Sequence, residues 1–336
     1  MRTMLLLKSI RGEKIPRFPI WLMRQAGRYM PQYRELREKE RDFFSFCKNV
    51  ELSVKASLLP LELLGVDAII IFSDILVPLE PMGVDVSFFE GEGPRLYWDG
   101  RVEGLKRISF SQVEFVGEII RSLKSVVKDV PIIGFCGAPF TLMSYMLEGG
   151  SSRDFRKTKL FIWQRRGEWE RLMSLLVESL VEYMRGQVRA GADLLQVFDS
   201  WAMHLPYEDF EEYAQRYLKV FFESLKGSVD VPLIYFFRGS GSFLRALENL
   251  PVDVISLDWT VDMVSAMRKS SKVFQGNLDP AVLYCDEETI DGKALELLRC
   301  VPRKTGYIFN LGHGLMPDME LKKVKFLVDR VKSFAL

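Results

Sequence analysis

Short apolar runs alternate with longer amphipathic segments along the whole chain. Eight runs rich in β-branched and aromatic residues are predicted to be strands: Pro19–Met23, Val66–Phe72, Pro131–Cys136, Ala192–Asp199, Val231–Phe237, Val252–Asp258, Ser271–Asn277 and Tyr307–Gly312. Most are apolar nearly throughout, as expected of parallel strands buried on both faces. Between them, segments such as Phe210–Leu225, Val261–Arg268 and Leu321–Val331 repeat apolar positions every three or four residues, which predicts amphipathic helices. Eight strand–helix units favour a single (β/α)8 TIM-type barrel.

A doubly wound parallel sheet is the alternative architecture for such an alternation. Its dinucleotide-binding form carries a G-x-G-x-x-G turn after an early strand, and this sequence has no such turn. The nearest match, Gly239-Ser240-Gly241, lacks the third glycine and is interpreted as an ordinary turn. Because no linker or low-complexity stretch divides residues 1–336, a single catalytic barrel domain is expected.

Two segments interrupt the alternation. Ile75–Gly100 is a long excursion in which Val84, Val86 and Phe88 alternate, and this predicts a small hairpin outside the barrel wall. Gly149–Ala190 is long for one helix and is predicted to form two. Long connections after strands lie on the catalytic, C-terminal face of a barrel, so both segments are candidate lids. A plain surface insertion is the alternative for each.

The composition of the 336-residue chain excludes several classes of protein. With 46 Lys and Arg against 45 Asp and Glu, the net charge of +1 gives no general attraction to nucleic acid or an anionic membrane. The 48% apolar content excludes a disordered chain, and no apolar run reaches the roughly 18–20 residues of a membrane span. The N-terminus has no secretory-signal pattern, and the 4 cysteines form no C-x-x-C pair. A cytoplasmic enzyme is expected.

Charged residues follow the first two predicted strands, where a barrel places its chemistry. Arg24 and Arg28 flank Gly27 after the first strand. Guanidinium groups bind carboxylate or phosphate in bidentate fashion, so an anionic ligand is favoured over a helix-surface pair, in which the like charges would repel. Asp74 follows the second strand and is either a helix cap or an active-site group.

Three further polar candidates follow later strands. Tyr145 comes after the glycine-containing segment Gly134–Thr141, at a position where tyrosines more often pack in the core or rim. Ser200 could cap a helix or bind substrate. His313 stands between two glycines after the last strand, which favours a functional role. No His, Cys or carboxylate stands at metal-ligand spacing from His313, so no metal site is predicted. Together, the polar residues after the strands predict a barrel enzyme that acts on a small polyanion, with no metal and no nucleotide cofactor.

Several segments resemble the uroporphyrinogen decarboxylase family. Pro19–Pro31, with the sequence PIWLMRQAGRYMP, matches the family's N-terminal signature, and Gly134–Leu142 with Tyr145 matches a second one. The similarity continues in order through Phe72–Leu76, Gln196–Ala202, Ser256–Trp259, Gln275–Pro280 and Asn310–Gly314. The departures, at Gln164–Gly167 and Met203, touch no motif position.

The resemblance implies a distorted (β/α)8 barrel that forms a homodimer, needs no cofactor and takes uroporphyrinogen as its small-molecule substrate. It implies conversion of the four acetate side chains to methyls, with release of four CO2 and formation of coproporphyrinogen, in heme biosynthesis. The substrate-binding positions that carry over are Arg24, Gln25, Ala26, Gly27, Arg28, Asp74, Tyr145, Ser200 and His313. The catalytic residues it implies are Asp74, Arg24, Arg28, Tyr145 and His313.

The chemistry explains why the family uses these residue types. Protonating a pyrrole carbon makes the ring an electron sink, and Asp74 is the predicted counter-charge to the cationic ring. The proton donor stays open between His313, a water molecule and a substrate carboxyl. A cobamide-dependent methyltransferase of similar fold is the nearest alternative, but it uses zinc held by an H-x-C pair that this sequence lacks. A tetrapyrrole carrier and a phosphate-handling barrel using Gly239–Gly241 are two further candidate functions.

Overall fold

A curled parallel sheet lies at the centre of the fold, in a computed structural model that describes residues 4–89, 93–302 and 306–336. The strands in these residues are β1 (Ile69–Ile70), β2 (Asp85–Phe89), β3 (Gly93–Tyr97), β4 (Ile132–Gly137), β5 (Leu194–Asp199), β6 (Leu233–Phe237), β7 (Val254–Leu257), β8 (Val273–Leu278) and β9 (Tyr307–Leu311). Seven of them pair in parallel in the order β1-β4-β5-β6-β7-β8-β9. This sequential order, without a reversal, is that of a barrel wall and excludes the doubly wound alternative.

Helices separate successive strands of the sheet. They are α1 (Leu5–Ile10), α2 (Pro31–Arg37), α3 (Phe43–Lys48), α4 (Val50–Leu64), α5 (Leu79–Met82), α6 (Glu114–Val126), α7 (Pro139–Glu148), α8 (Arg156–Gln164), α9 (Arg166–Ala190), α10 (Tyr207–Phe210), α11 (Arg216–Lys226), α12 (Leu244–Glu248), α13 (Met263–Lys269), α14 (Glu287–Cys300) and α15 (Leu321–Ser333). A π-helical turn, Glu211–Gln215, makes α10 and α11 continuous. In the described ranges, no helix has both the length and the apolar character needed to cross a membrane.

The first predicted strand, Pro19–Met23, is not a regular strand, and that prediction is wrong in detail. It forms a single parallel bridge, between Ile20 and Phe309 of β9. Two of its N–H groups donate to side chains instead of a neighbouring strand: Ile20 to Asp67 at 2.9 Å, and Met23 to Asn310 at 3.0 Å. The N–H of Asp67 donates in turn to the carbonyl of Ile20 at 2.8 Å. The segment therefore occupies the eighth position of the wall, between β9 and β1, and closes a distorted barrel.

The other predicted strands correspond to strands of the sheet. Six of them match β4 to β9, whereas Val66–Phe72 contributes only the short strand β1. Next to β1, the N–H of Phe72 donates to the hydroxyl of Ser57 at 2.8 Å, so a helix side chain replaces the next ladder partner. The prediction of a barrel with parallel strands is confirmed.

The two interruptions of the alternation have the predicted form. Strands β2 and β3 pair antiparallel as the predicted hairpin, and residues 90–92 between them lie outside the described residues. The segment Gly149–Ala190 contains α8 and α9, the two predicted helices. Their role as lids stays a prediction.

A chain of polar side chains crosses the inside of the barrel below its C-terminal mouth. The indole N–H of Trp21 donates to Gln275 Oε1 at 2.8 Å, and Gln275 Nε2 donates to the hydroxyl of Ser256 at 2.9 Å. All three side chains are buried. These hydrogen bonds fix the N-terminal segment against β8 and, through Gln275, against β7. The backbone of the residues that follow Trp21 therefore begins at a fixed position.

Candidate active site

The loop after the N-terminal segment carries five of the predicted site residues. The buried side chain of Gln25 accepts the N–H of Leu22 at 3.1 Å and donates to the carbonyl of Ala68 at 3.0 Å. It therefore fastens the loop to the chain beside β1. Ala26 and Gly27 are partly buried. Substrate binding by these three residues stays a prediction, and the side chain of Gln25 already has a structural task.

Arg24 is held in its position by the loop that follows β9. Its φ of 60° lies in the left-handed region, which residues other than glycine rarely adopt. The preceding residue, Met23, donates its N–H to the buried side chain of Asn310, and its carbonyl accepts the N–H of Leu315 at 2.9 Å. A Cβ on Gly314 would overlap the Arg24 side chain, so a larger residue there would displace the arginine. The guanidinium group is exposed at the barrel mouth.

Asp74 follows β1 at the same end of the barrel and is partly buried. Its Oδ1 accepts the N–H of Leu76 at 2.8 Å, so the carboxylate does stabilise the local turn. Burial raises the pKa of Asp74 to about 6, against the opposing effects of the Leu76 N–H and the Arg24 charge. At neutral pH the carboxylate is ionised, and it is a much stronger base than an exposed aspartate.

Tyr145 lies on α7 beside Asp74 and Arg24. Burial raises the pKa of Tyr145, and the negative charge of Asp74 raises it further. The phenol is therefore protonated and able to donate a hydrogen bond at neutral pH. Its ring packs edge-on against Trp201 with centroids 5.8 Å apart, so it lies at the rim beside β5.

Ser200 directly follows β5 and is partly buried. Its N–H donates to Thr141 Oγ1 at 2.9 Å, and the Thr141 hydroxyl donates to the buried carboxylate of Asp199 at 2.6 Å. Asp199 also accepts the hydroxyl of Tyr235 at 2.8 Å. This network joins the start of α7 to the end of β5. The 3-10 turn that follows has Trp201, not Ser200, at its cap position.

His313 follows β9 and is partly buried. Its ring meets those of Phe236 and Trp259 edge-on, at centroid distances of 6.3 Å. Burial and the positive charges of Arg24 and Arg238 lower the pKa of His313 to about 4. The imidazole is therefore neutral at pH 7 and offers one N–H donor and one acceptor rather than a positive charge.

Arg24 connects most of the predicted site. Its charge acts on the pKa values of Asp74, Tyr145 and His313, so these residues share the mouth of the barrel. Arg28 is exposed on the α2 side of the loop, where its charge acts on Tyr33.

One basic residue of this region, Arg238, was not among the predicted site residues. It directly follows β6, just as Asp74 closely follows β1, so the rule used for Asp74 would have found it. Within the described residues, the guanidinium groups of Arg24, Arg28 and Arg238 form no hydrogen bond or ion pair. The mouth therefore offers free cations, one ionised carboxylate and neutral donors, a set suited to a ligand with several carboxylates.

The contacts of the described residues also bear on two of the alternative functions, the phosphate-handling barrel and the zinc-containing methyltransferase. The turn at Gly239-Ser240-Gly241 is an ordinary one, since the N–H groups of Gly239 and Ser240 donate to the Asp258 carboxylate and are not free for a phosphate. Among the residues that the structure describes, no three His, Cys, Asp or Glu side chains are grouped as metal ligands.

Comparison with known proteins gives a consistent result. A protein of Aquifex aeolicus named uroporphyrinogen decarboxylase is 57% identical, over 99% of this chain and 98% of its own length. One of Hydrogenobaculum with the same name is 46% identical, over 99% and 96%. A solved methyltransferase from Methanosarcina mazei superposes with a TM-score of 0.82 over 99% of both chains at 21% identity, which shows the fold alone. The family model described as uroporphyrinogen decarboxylase (URO-D) matches residues 1–334, and with these relatives it shows that the chain belongs to the uroporphyrinogen decarboxylase family.

Proposed function

We propose that this protein removes the carboxyl groups of the four acetate side chains of uroporphyrinogen, giving coproporphyrinogen and four CO2. The observation that carries the proposal is the placement of Arg24 beside Asp74, Tyr145 and His313 at the barrel mouth, in a chain that matches the decarboxylase family throughout. The substrate has eight carboxylates, and the free guanidinium groups at this mouth suit such a ligand.

The reaction needs an electron sink, because direct loss of CO2 from an acetate would leave an unstabilised carbanion. Protonation of the adjacent pyrrole carbon turns the ring into a cation that accepts the electron pair of the breaking C–C bond. After CO2 leaves, the exocyclic methylene takes up a proton to become the methyl, and the ring carbon gives back the proton that it received. The substrate thus does the work that an organic cofactor does elsewhere. The protein has to bind the macrocycle, keep water away and stabilise the positive ring.

Asp74 is the residue we assign to the cationic ring. Its carboxylate is ionised at neutral pH, partly buried, and fixed by the N–H of Leu76. A fixed charge in a site poor in water stabilises a developing charge strongly, since no reorganisation is needed when the charge forms. The free oxygen, Oδ2, is available for the pyrrole N–H groups at the centre of the macrocycle.

The remaining residues have complementary tasks in this proposal. Arg24 and Arg28 bind substrate carboxylates through their planar forks, while Tyr145 and Ser200 donate neutral hydrogen bonds. The lowered pKa of His313 means that it enters the reaction as a neutral imidazole. It therefore acts as a hydrogen-bond donor and is a poor reservoir for the proton in the resting enzyme, which leaves a water molecule or a substrate carboxyl as the better proton donor.

The proposed function predicts decarboxylation by protein that has been chelated and exhaustively dialysed. Anaerobic incubation with uroporphyrinogen should yield products with progressively fewer carboxyl groups, because the protonated pyrrole is the electron sink. Separation of the products by carboxyl count measures the outcome, with a protein-free incubation as the control. Activity that returns only when a metal, pyridoxal phosphate or a nucleotide is added would contradict the mechanism.

We also propose a homodimer, on the basis of the family resemblance. Sedimentation equilibrium at micromolar concentration should give about twice the chain mass of 38.8 kDa. A single-chain mass over the whole concentration range would show that the proposal is wrong.

We propose the cytoplasm as the compartment. The four cysteines, Cys47, Cys136, Cys285 and Cys300, all have free thiols, as is usual in a reducing compartment.

A further inference from the structure

Arg238 is a basic residue at the barrel mouth that the proposed mechanism does not use. Its N–H donates to the carbonyl of Asp199 at 3.0 Å, which places it at the ends of β5 and β6. Its guanidinium lies over the Trp201 ring, 5.9 Å from the centroid, and the side chain is partly buried. Within the described ranges no acidic group pairs with it. A partly desolvated cation without a counter-ion is costly to keep, so this position suits an anionic ligand.

The strand order places Arg238 across the barrel from Arg24. The segment Pro19–Met23, which leads into Arg24, lies between β9 and β1. From this segment, β6 is the fourth neighbour by way of β1, β4 and β5, and also by way of β9, β8 and β7. The backbones of the two arginines therefore stand on opposite sides of the mouth, and both of their charges reach His313. A macrocycle centred over Asp74 presents carboxylates on both sides, and Arg24 and Arg28 serve only one of them.

The surroundings of Arg238 are suited to a carboxylate. The guanidinium carbon lies 5.9 Å from the Trp201 ring centroid, within reach of a cation–π contact, and within the described residues its N–H groups have no hydrogen-bond partner, so they are free for a bidentate contact. His204 lies nearby, with its ring 6.2 Å from that of Trp201. Burial and the charges of Lys159 and Arg238 lower the pKa of His204, so its imidazole is neutral and can donate a further hydrogen bond.

We propose that Arg238 binds a propionate of the substrate, on the side of the macrocycle opposite Arg24. This inference rests on the proposed function. Each pyrrole ring carries one acetate and one propionate, and only the acetates are consumed. A contact that orients the macrocycle in each of the four decarboxylations, whichever ring reacts, must be made to a group that is present at every step. Arg238 is thus a substrate-positioning residue, since the group that it binds does not react.

The product gives a direct test, because coproporphyrinogen keeps the four propionates and has no acetate. In Arg238→Gln, we expect KM for uroporphyrinogen and the inhibition constant of coproporphyrinogen to rise by a similar factor, about tenfold or more, with a smaller change in kcat. Arg238→Lys keeps the charge without the fork and should fall between wild type and Gln. Arg245→Gln, on the exposed face of α12, is the matched control and should change neither constant.

The outcomes separate this inference from the proposed function. If KM rises in Arg238→Gln while the inhibition constant of coproporphyrinogen is unchanged, Arg238 binds an acetate and the inference is overturned. It is also overturned if neither constant changes in an active protein. If Arg238→Gln has a lowered thermal midpoint, the Lys variant supplies the same comparison. Wild-type protein that releases no CO2 from uroporphyrinogen would instead contradict the proposed function.

Discussion

Asp74→Asn is expected to lower kcat by on the order of a hundredfold to a thousandfold, with a much smaller change in KM for uroporphyrinogen. That is the usual effect of losing a pre-organised electrostatic contact that matters only once charge has developed. The amide keeps one oxygen for the N–H of Leu76, but it loses the charge and turns N–H donors toward the pyrrole N–H groups. Asp74→Glu keeps the charge, displaced by one methylene, and should fall between the two. Steady-state kinetics of both variants measures the effect.

The stability of the same variant distinguishes a catalytic Asp74 from a cap. The folded-state pKa is raised from 3.8 to about 6, so the ionised carboxylate opposes folding, and stability falls as the pH rises through this interval. The cost at pH 7 is at most about 3 kcal/mol, and less where solvent screens the charge. Asn carries no such cost, so its thermal midpoint at pH 7 should equal or exceed that of wild type. Since Asn keeps the contact with the N–H of Leu76, a lower midpoint would mean that the charge itself stabilises the turn, and normal turnover beside it would show that Asp74 is a cap.

The pH profile provides a control for this assignment. Because the carboxylate has to be ionised, wild-type kcat/KM should fall as the pH drops below about 6. The residual activity of Asp74→Asn should lack this acidic limb. His313 cannot account for the limb, because its pKa is lowered to about 4. A limb that persists unchanged in the Asn variant would show that another group, such as a substrate carboxyl, is responsible.

Arg24→Lys is the second substitution with a large expected effect, a decrease of roughly tenfold to a hundredfold in kcat/KM. Lysine keeps the charge but has no planar fork for a bidentate contact with a carboxylate. The retained charge should also leave the acidic limb near its wild-type position, since Arg24 opposes the rise in the pKa of Asp74. Arg41→Lys, on an exposed side chain that pairs with Asp42, is the matched control. Near-normal activity of Arg24→Lys would mean that Arg24 supplies only bulk charge.

The sequence was sufficient to predict the barrel and the grouping of Arg24, Asp74 and His313. Buried parallel strands have nearly continuous apolar runs, and the carboxyl ends of such strands meet at one edge. Periodicity could not show that Pro19–Met23 lacks a ladder, because the apolar pattern is that of a strand. The partners that replace the ladder are the side chains of Asp67 and Asn310, which are distant in sequence.

The electrostatic state of the site was not predictable from the sequence. A histidine between two glycines could have been the positive group that the substrate carboxylates require. The neutral state of His313 depends on burial and on two arginines from other loops. Arg238 could have been found by the rule that found Asp74, because it directly follows β6, but the residues after this strand have the pattern of a turn around Gly239 and were interpreted only as a turn.

The closure of the barrel has a consequence for synthesis of the protein. The hydrogen bond from the N–H of Met23 to the side chain of Asn310 joins residues 287 positions apart. It fixes Met23, which directly precedes Arg24. A ribosome makes the N-terminal segment first and β9 almost last, so the arginine loop has to wait for nearly the entire chain before it reaches its final position. Until β8 and β9 are made, Trp21 lacks its hydrogen-bond partner Gln275 and Ile20 lacks its bridge to Phe309, although Asp67 is already present to bind Ile20. A nascent chain released before β9 emerges therefore has most of the barrel wall but lacks His313 and the partner that holds the Arg24 loop.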